Sequence, residues 1–255
     1  MIPAAGPHLV RGLQEKAARA LPAEHVERLD DWWLRLAPAC SWWVGTVLPH
    51  GDAGPRELAR RVAVAEDFYA RHDLVACFQV SPRACPVGLD AFLAARRYRR
   101  GARMSLRSAS TVRVLERVPA GPSRVRVEER PTDAWFEGWH AVHGHDGERD
   151  LLGRVDRPSA YASVVAGGDV IAVGRAVADD GWAGVFGMAT LPRARGRGAA
   201  REVLAALASW ARAQEAGHMY LQVESVNEAA VRLYARAGFE EVCGYHYRTA
   251  PPVRP

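Results

Sequence analysis

Thr190-Leu191-Pro192-Arg193-Ala194-Arg195-Gly196-Arg197-Gly198-Ala199-Ala200 runs straight into an alanine- and leucine-rich segment that ends near Gln214. The stretch reads as an apolar strand closing at Pro192, a glycine-spaced turn carrying three arginines, and a helix opening at or near Gly198. Glycine has no Cβ, so the backbone at Gly196 and Gly198 can approach an anion closely. The unpaired N–H groups of a first helical turn and the positive end of its dipole face the same space. Three guanidinium groups add charge, and the pattern predicts a cradle for a pyrophosphate. Taken alone the spacing is weak, because an Arg/Gly turn before a helix also suits a solvated loop. The residues downstream of Gln214 decide between the two.

Gly217 is a helix stop, and Met219 to Val223 is a short apolar run that fits a buried strand. Next comes Glu224-Ser225-Val226-Asn227-Glu228-Ala229-Ala230-Val231-Arg232-Leu233-Tyr234-Ala235-Arg236-Ala237-Gly238-Phe239. The spacing Arg193-x-x-Gly196-x-Gly198 resembles the acyl-coenzyme A loop of the GNAT acyltransferase superfamily. The second segment resembles that family's other signature, an Asn opening a short helix that carries a Tyr and closes on Gly-Phe. Both stand in the family's order and separation, and the resemblance covers roughly Val125 to Arg248.

Composition bounds the rest. The chain has 255 residues, enough for two ordinary domains, each able to bury a core. A hydrophobic fraction of 49% with 25% charged residues is globular. No apolar run is long enough to span a bilayer, and Arg11, Glu15 and Lys16 interrupt the N-terminal stretch that a secretory signal needs. A cytoplasmic protein without membrane partners is expected. Cys40, Cys77, Cys85 and Cys243 have neither metal-type nor disulfide-type spacing and read as small hydrophobes. The net charge of +5 is spread over both halves, with one true cluster at Arg96-Arg97-Tyr98-Arg99-Arg100. That cluster reads as a solvated helix end and strand start, so no nucleic-acid partner is expected.

The two halves repeat. A shift of 143 residues lays Leu48-Pro49 on Leu191-Pro192, the segment Arg56 to Arg71 on Ala199 to Gln214, and Gln79-Val80 on Gln222-Val223. With a two-residue adjustment, Phe92 to Tyr98 falls on Leu233 to Phe239. The implied architecture is α/β: two GNAT-like units, each a mixed, mostly antiparallel twisted sheet flanked by helices. Residues 1–118 form a degenerate, non-catalytic unit and residues 119–255 the catalytic one. In the first copy the loop is His50-Gly51-Asp52-Ala53-Gly54-Pro55, where Asp52 replaces Arg195 and Pro55, lacking an N–H, replaces Gly198. Leu93 stands in place of Tyr234.

Within the second copy, Val125 to Glu129 alternates as a first strand and Pro131-Thr132-Asp133 introduces a helix at Trp135 to His140. Tyr161 to Ala166, Val170 to Ala178 and Trp182 to Thr190 read as antiparallel strands joined at Gly167-Gly168-Asp169 and Asp179-Asp180-Gly181. Val203, Leu207 and Trp210, with Leu204, Ala208 and Ala211, give the long helix one apolar face. Phe239 to Val242 and Gly244 to Arg248 read as its closing strands, in a sheet splayed near Thr190.

The resemblance implies transfer of an acetyl group from acetyl-coenzyme A to a primary amine by direct attack, with a small-molecule or peptide acceptor. Cofactor contacts then fall to Met188, Ala189 and Thr190, whose backbone bonds the pantetheine arm, and to Arg193, Arg195, Gly196, Arg197, Gly198, Ala199 and Asn227. Asn227 serves equally as a helix cap. Tyr234 is the candidate acid for the departing thiolate. Glu224, after the fifth strand of that copy, is the candidate base or a solvated loop acid. His140, His143, His145 and Asp146 have spacing that could suggest a metal site, but no metal is expected. Trp135, Trp139, His140 and His143 are assigned to acceptor contact or packing, and Trp32-Trp33 and Trp42-Trp43 to core or interface. An acyl-coenzyme A binding or sensing module without catalysis is the alternative. Oligomeric state is left open, a homodimer included.

Overall fold

The computed structural model describes residues 6–38, 40–119, 124–144 and 148–251. The chain divides into two compact units that interleave in sequence. The first comprises Pro3–Ser105, Glu224–Val226 and Val242–Pro255, and the second Leu106–Val223 with Asn227–Glu241.

The first unit runs α1 (Pro7–Ala20), β1 (His25–Leu29), β2 (Trp32–Leu36), β3 (Val47–Pro49), α2 (Pro55–Ala70), β4 (Cys77–Val80), α3 (Leu89–Ala95) and the first half of β5 (Arg99–Ser110). Antiparallel β1–β2–β3 pairing leads to a single parallel pair, Val47 opposite Phe78, between β3 and β4. Its core gathers Trp32, Leu34, Val62, Phe68, Phe78 and Leu93. Trp32 and Trp33 are buried, whereas Trp42 is half exposed and stands edge-on to Tyr247, with ring centroids 4.6 Å apart. The basic cluster falls where α3 ends and β5 starts; Arg96, Arg97, Arg99 and Arg100 are exposed while Tyr98 is buried and donates to Glu66 at 2.7 Å. Cys77, Cys85 and Cys243 are buried, Cys40 is partly buried, and none of the four is in a disulfide.

The second unit takes the second half of β5, then α4 (Thr111–Arg117), β6 (Val125–Glu128), α5 (Asp133–His143), α6 (Glu148–Gly153), β7 (Ser159–Ala166), β8 (Asp169–Asp179), β9 (Trp182–Thr190), α7 (Ala199–Ala213), β10 (His218–Glu224) and α8 (Glu228–Arg236). β6 to β9 form an antiparallel meander, and β10 joins β9 in parallel. Glycines at positive φ (Gly167, Gly168 and Gly181) and Asp180 make the hairpin turns that the sequence marks. Thr132 caps α5 by accepting from the N–H of Trp135 at 3.1 Å. The helix runs three residues beyond the expected His140 and stops at Gly144, whose φ of 71° supplies a left-handed C-cap. α7 buries Val203, Leu204, Leu207, Ala208 and Ala211, as its periodicity predicts.

The closing strands differ from the sequence reading. A single strand, β11 (Glu240–Thr249), replaces the expected pair, because Gly244 continues the ladder without a break. From Val242 onward it belongs to the first unit, where Tyr247 pairs with Gln79 and Thr249 with Cys77 of β4. Among the described residues, no helix is long and apolar enough to cross a membrane.

Candidate active site

The second unit builds its site around the turn between β9 and α7. Pro192–Ala194 makes one 3-10 turn, after which Gly196 (φ 74°) and Gly198 (φ 82°) both adopt left-handed backbone. A Cβ on either would meet nothing within 4 Å, so the conformation demands glycine while the space in front stays open. None of the N–H groups of Gly196, Arg197, Gly198, Ala199 and Ala200 makes a short, well-aligned bond to a main-chain carbonyl of the described residues, although residues 195–198 lie in hydrogen-bonded turns. The first helical bonds of α7 run from Arg201 and Glu202 to the carbonyl of Gly198. These weakly engaged donors at the positive end of a 15-residue helix suit an anion.

The three arginines are not equivalent. Arg193 is paired with Asp169 at 2.8 Å, and Arg195 Nε donates to the Thr190 carbonyl at 3.3 Å, closing the turn. Arg197 is exposed.

Upstream, β9 carries a bulge. Val173 faces Ala189 and Arg175 faces Phe186, so Gly174 alone opposes Gly187 and Met188. Gly187 has φ 58°. Trp135 donates its indole N–H to the Gly174 carbonyl at 3.3 Å, and the Trp139 indole lies beneath Gly187, where a Cβ would meet it at 3.2 Å. Both tryptophans are buried, so in this structure they brace the bulge from the α5 side. On the opposite face, Val203 and Leu207 of α7 occupy the space that a side chain at position 174 would need. His140 is exposed, and the His143 ring lies 5.0 Å from Trp139. His145 and Asp146 lie outside the described residues. Among the described residues, no group of three or more His, Cys, Asp or Glu could hold a metal ion.

Past the bulge the sheet opens. The parallel ladder between β9 and β10 ends at Val185 opposite Leu221, although β9 continues to Thr190. The main-chain groups on that side of Met188, Ala189 and Thr190 thus have no β10 partner, which leaves a slot suited to an extended amide-bearing chain.

Tyr234 lies on α8, 6% exposed, edge-on to Phe239 with centroids 6.0 Å apart. Burial pushes its phenol well above the usual range, so it stays protonated at neutral pH. Asn227 caps α8, its Oδ1 accepting from the Ala230 N–H at 3.2 Å. Glu224 is the exposed last residue of β10.

Sequence reading missed the bulge and Arg175. The latter is 2% exposed, sits 5.0 Å over the Phe186 ring and hydrogen-bonds Tyr161; burial pulls its pKa down. Three glycines inside strands, Gly174, Gly184 and Gly187, were the available signal.

Residues 124–239 match the family model described as Acetyltransferase (GNAT) family. This segment, which carries the turn, the bulge and α8, is similar to the GNAT acetyltransferases. It is 28% identical over 250 residues to the uncharacterized N-acetyltransferase YobR of Bacillus subtilis (strain 168), covering 94% of this chain and 98% of that protein. Streptothricin acetyltransferase of Streptomyces lavendulae is 31% identical over 133 residues, 51% of this chain and 64% of its own. Among solved structures, a GCN5-related N-acetyltransferase from Kribbella flavida superposes with a TM-score of 0.73 at 18% identity, over 98% of this chain and 96% of that one. A tandem GNAT protein from the clavulanic acid biosynthesis pathway gives 0.63 at 17%, over 99% and 98%. At these identities the two structures speak to the GNAT fold, which each unit shows as a mixed, mostly antiparallel sheet with flanking helices.

Proposed function

We propose that this protein transfers an acetyl group from acetyl-coenzyme A to the primary amine of a small molecule or peptide by direct attack, in the cytoplasm. The second unit carries the reaction and the first is its non-catalytic companion. The run of weakly engaged N–H groups from Gly196 to Ala200, behind two left-handed glycines at the mouth of α7, carries this reading. There a pyrophosphate meets main-chain donors and the positive end of the helix dipole together.

Acetyl-coenzyme A supplies an activated thioester; the protein supplies the rest. Gly196, Gly198 and Ala199 offer main-chain donors and Arg193, Arg195 and Arg197 offer charge to the phosphates. The open side of Met188, Ala189 and Thr190 bonds the pantetheine arm and polarises the carbonyl. Tyr234 hands a proton to the departing thiolate. Glu224 accepts the ammonium proton, directly or through water. Asn227 fixes the start of α8 and hence Tyr234. Trp135 and Trp139 shape the bulge, while His140 and His143 contact the acceptor. The similarity over 133 residues to a streptothricin acetyltransferase favours a small amine as acceptor.

Two measurements test the reading. Coenzyme A at a hundredfold over its dissociation constant should add about 2.7 kcal/mol of stability, visible as a raised melting midpoint. Absence of any shift with acyl-coenzyme A ends it. Tyr234→Phe should lower kcat about a hundredfold while the shift persists; unchanged turnover would leave Tyr234 as packing only.

A further inference from the structure

Glu202 occupies the first turn of α7, and its N–H makes one of that helix's first bonds, to the Gly198 carbonyl at 3.1 Å. A carboxylate there suits the helix dipole. It is also four residues from Gly198, about 6 Å along the axis from the donors that would receive phosphates. Across roughly 10 Å, in the effective dielectric near a protein surface, such repulsion is worth about tenfold in anion affinity. The carboxylate is not left bare. Arg124, just before β6, meets it with a two-pronged fork: Nε to Oε2 at 2.6 Å, and Nη2 to Oε1. Glu202 is 15% exposed and Arg124 39%. Arg124 is fixed at its other end too, its carbonyl accepting from the Val165 N–H at 3.0 Å. The fork holds the Glu202 carboxyl below its ordinary range.

We propose that Arg124 is a positioning residue that keeps the mouth of α7 receptive to the coenzyme's phosphates by cancelling the charge of Glu202. The inference rests on the coenzyme reading above. Under it, Arg124 touches no phosphate, and its importance vanishes once Glu202 is neutral.

A double-mutant cycle on the full chain tests this, reading the dissociation constant of coenzyme A by calorimetry at low and high salt. Arg124→Gln should weaken binding about tenfold at low salt, and the loss should shrink in high salt as screening sets in. Glu202→Gln should bind as tightly as wild type or more so. The double variant should return to within about threefold of wild type. Because it buries no lone charge, it carries the test even if Arg124→Gln folds poorly, which ligand-free melting would reveal. A double variant that binds no better than Arg124→Gln makes Arg124 a direct ligand or a plain strut and overturns the proposal. Wild-type binding by Arg124→Gln does the same. If the wild-type chain itself binds no coenzyme A, the coenzyme reading falls and takes this inference with it.

Discussion

The loop after β3, of five residues, and the loop after β9, of eight, share one plan, a strand end, a glycine-bearing turn and a long helix, yet the first has its donors more fully engaged. In the first unit the Gly51 N–H is taken by the Ala84 carbonyl at 3.0 Å, and α2 begins at Pro55, which has no N–H. The space beside the strand ends is filled as well. Gln14 of α1 donates through Nε2 to Ser81 Oγ at 2.5 Å, while its Oε1 lies 3.0 Å from His50 Nε2. His50 comes directly after β3 and Ser81 directly after β4, so one buried amide spans the gap between two strands that share a single pair. His50 Nδ1 is 3.4 Å from Glu15, which Arg11 holds at 2.8 Å. The two loops therefore differ in two ways: a donor is missing from the first helix mouth, and a side chain sits between its strand ends.

Copying the first loop into the second should have the largest effect. Gly198→Pro removes a donor and forces a φ near −65° where the backbone holds 82°. The coenzyme-induced melting shift should disappear, and a shift of wild-type size would erase the distinction between the two loops. The reverse repair, Asp52→Arg with Pro55→Gly, should leave calorimetric stoichiometry at one coenzyme per chain, because Gln14 still fills the gap.

Gln14→Leu probes the filled slot through stability. It leaves His50 and Ser81 buried with polar atoms unpaired, a loss of about 2 kcal/mol, measurable by denaturant unfolding, while coenzyme affinity stays unchanged.

The smallest effect is pH dependence. Partial burial pushes the Glu15 carboxyl up, but the bonds from His50 and Arg11 outweigh it and hold it at about 2; burial pulls His50 below its ordinary value. Both folded-state values lie under their unfolded ones, about 4.3 and 6.5. Their contributions are therefore full at neutral pH and are lost on acidification, His50 first below about pH 6.5 and Glu15 as pH falls from about 5 toward 2. Unfolding measured from pH 5 to 3 should show a slope that Glu15→Gln flattens.

Much of this was legible beforehand because it is local. Hairpin turns announce themselves as Gly167-Gly168 and Asp180-Gly181, the apolar stripe of α7 has helical period, and the glycine spacing before it marks left-handed backbone. Asn227 was equally balanced between cap and ligand, and the structure shows it capping α8. What stayed hidden depends on partners distant in sequence. Nothing near Gln14 says that His50 and Ser81 will flank it, nothing near Arg124 announces Glu202 78 residues on, and the bulge needs two strands to exist.

The assignment of Val242 onward to the first unit sets an order of events during synthesis. β4 is made well before its antiparallel neighbour and waits about 170 residues for Tyr247 to reach Gln79, a long-range pairing of the slow kind. A chain cut just before Val242 would thus leave β4 with a bare edge, exposed to whatever strand meets it first.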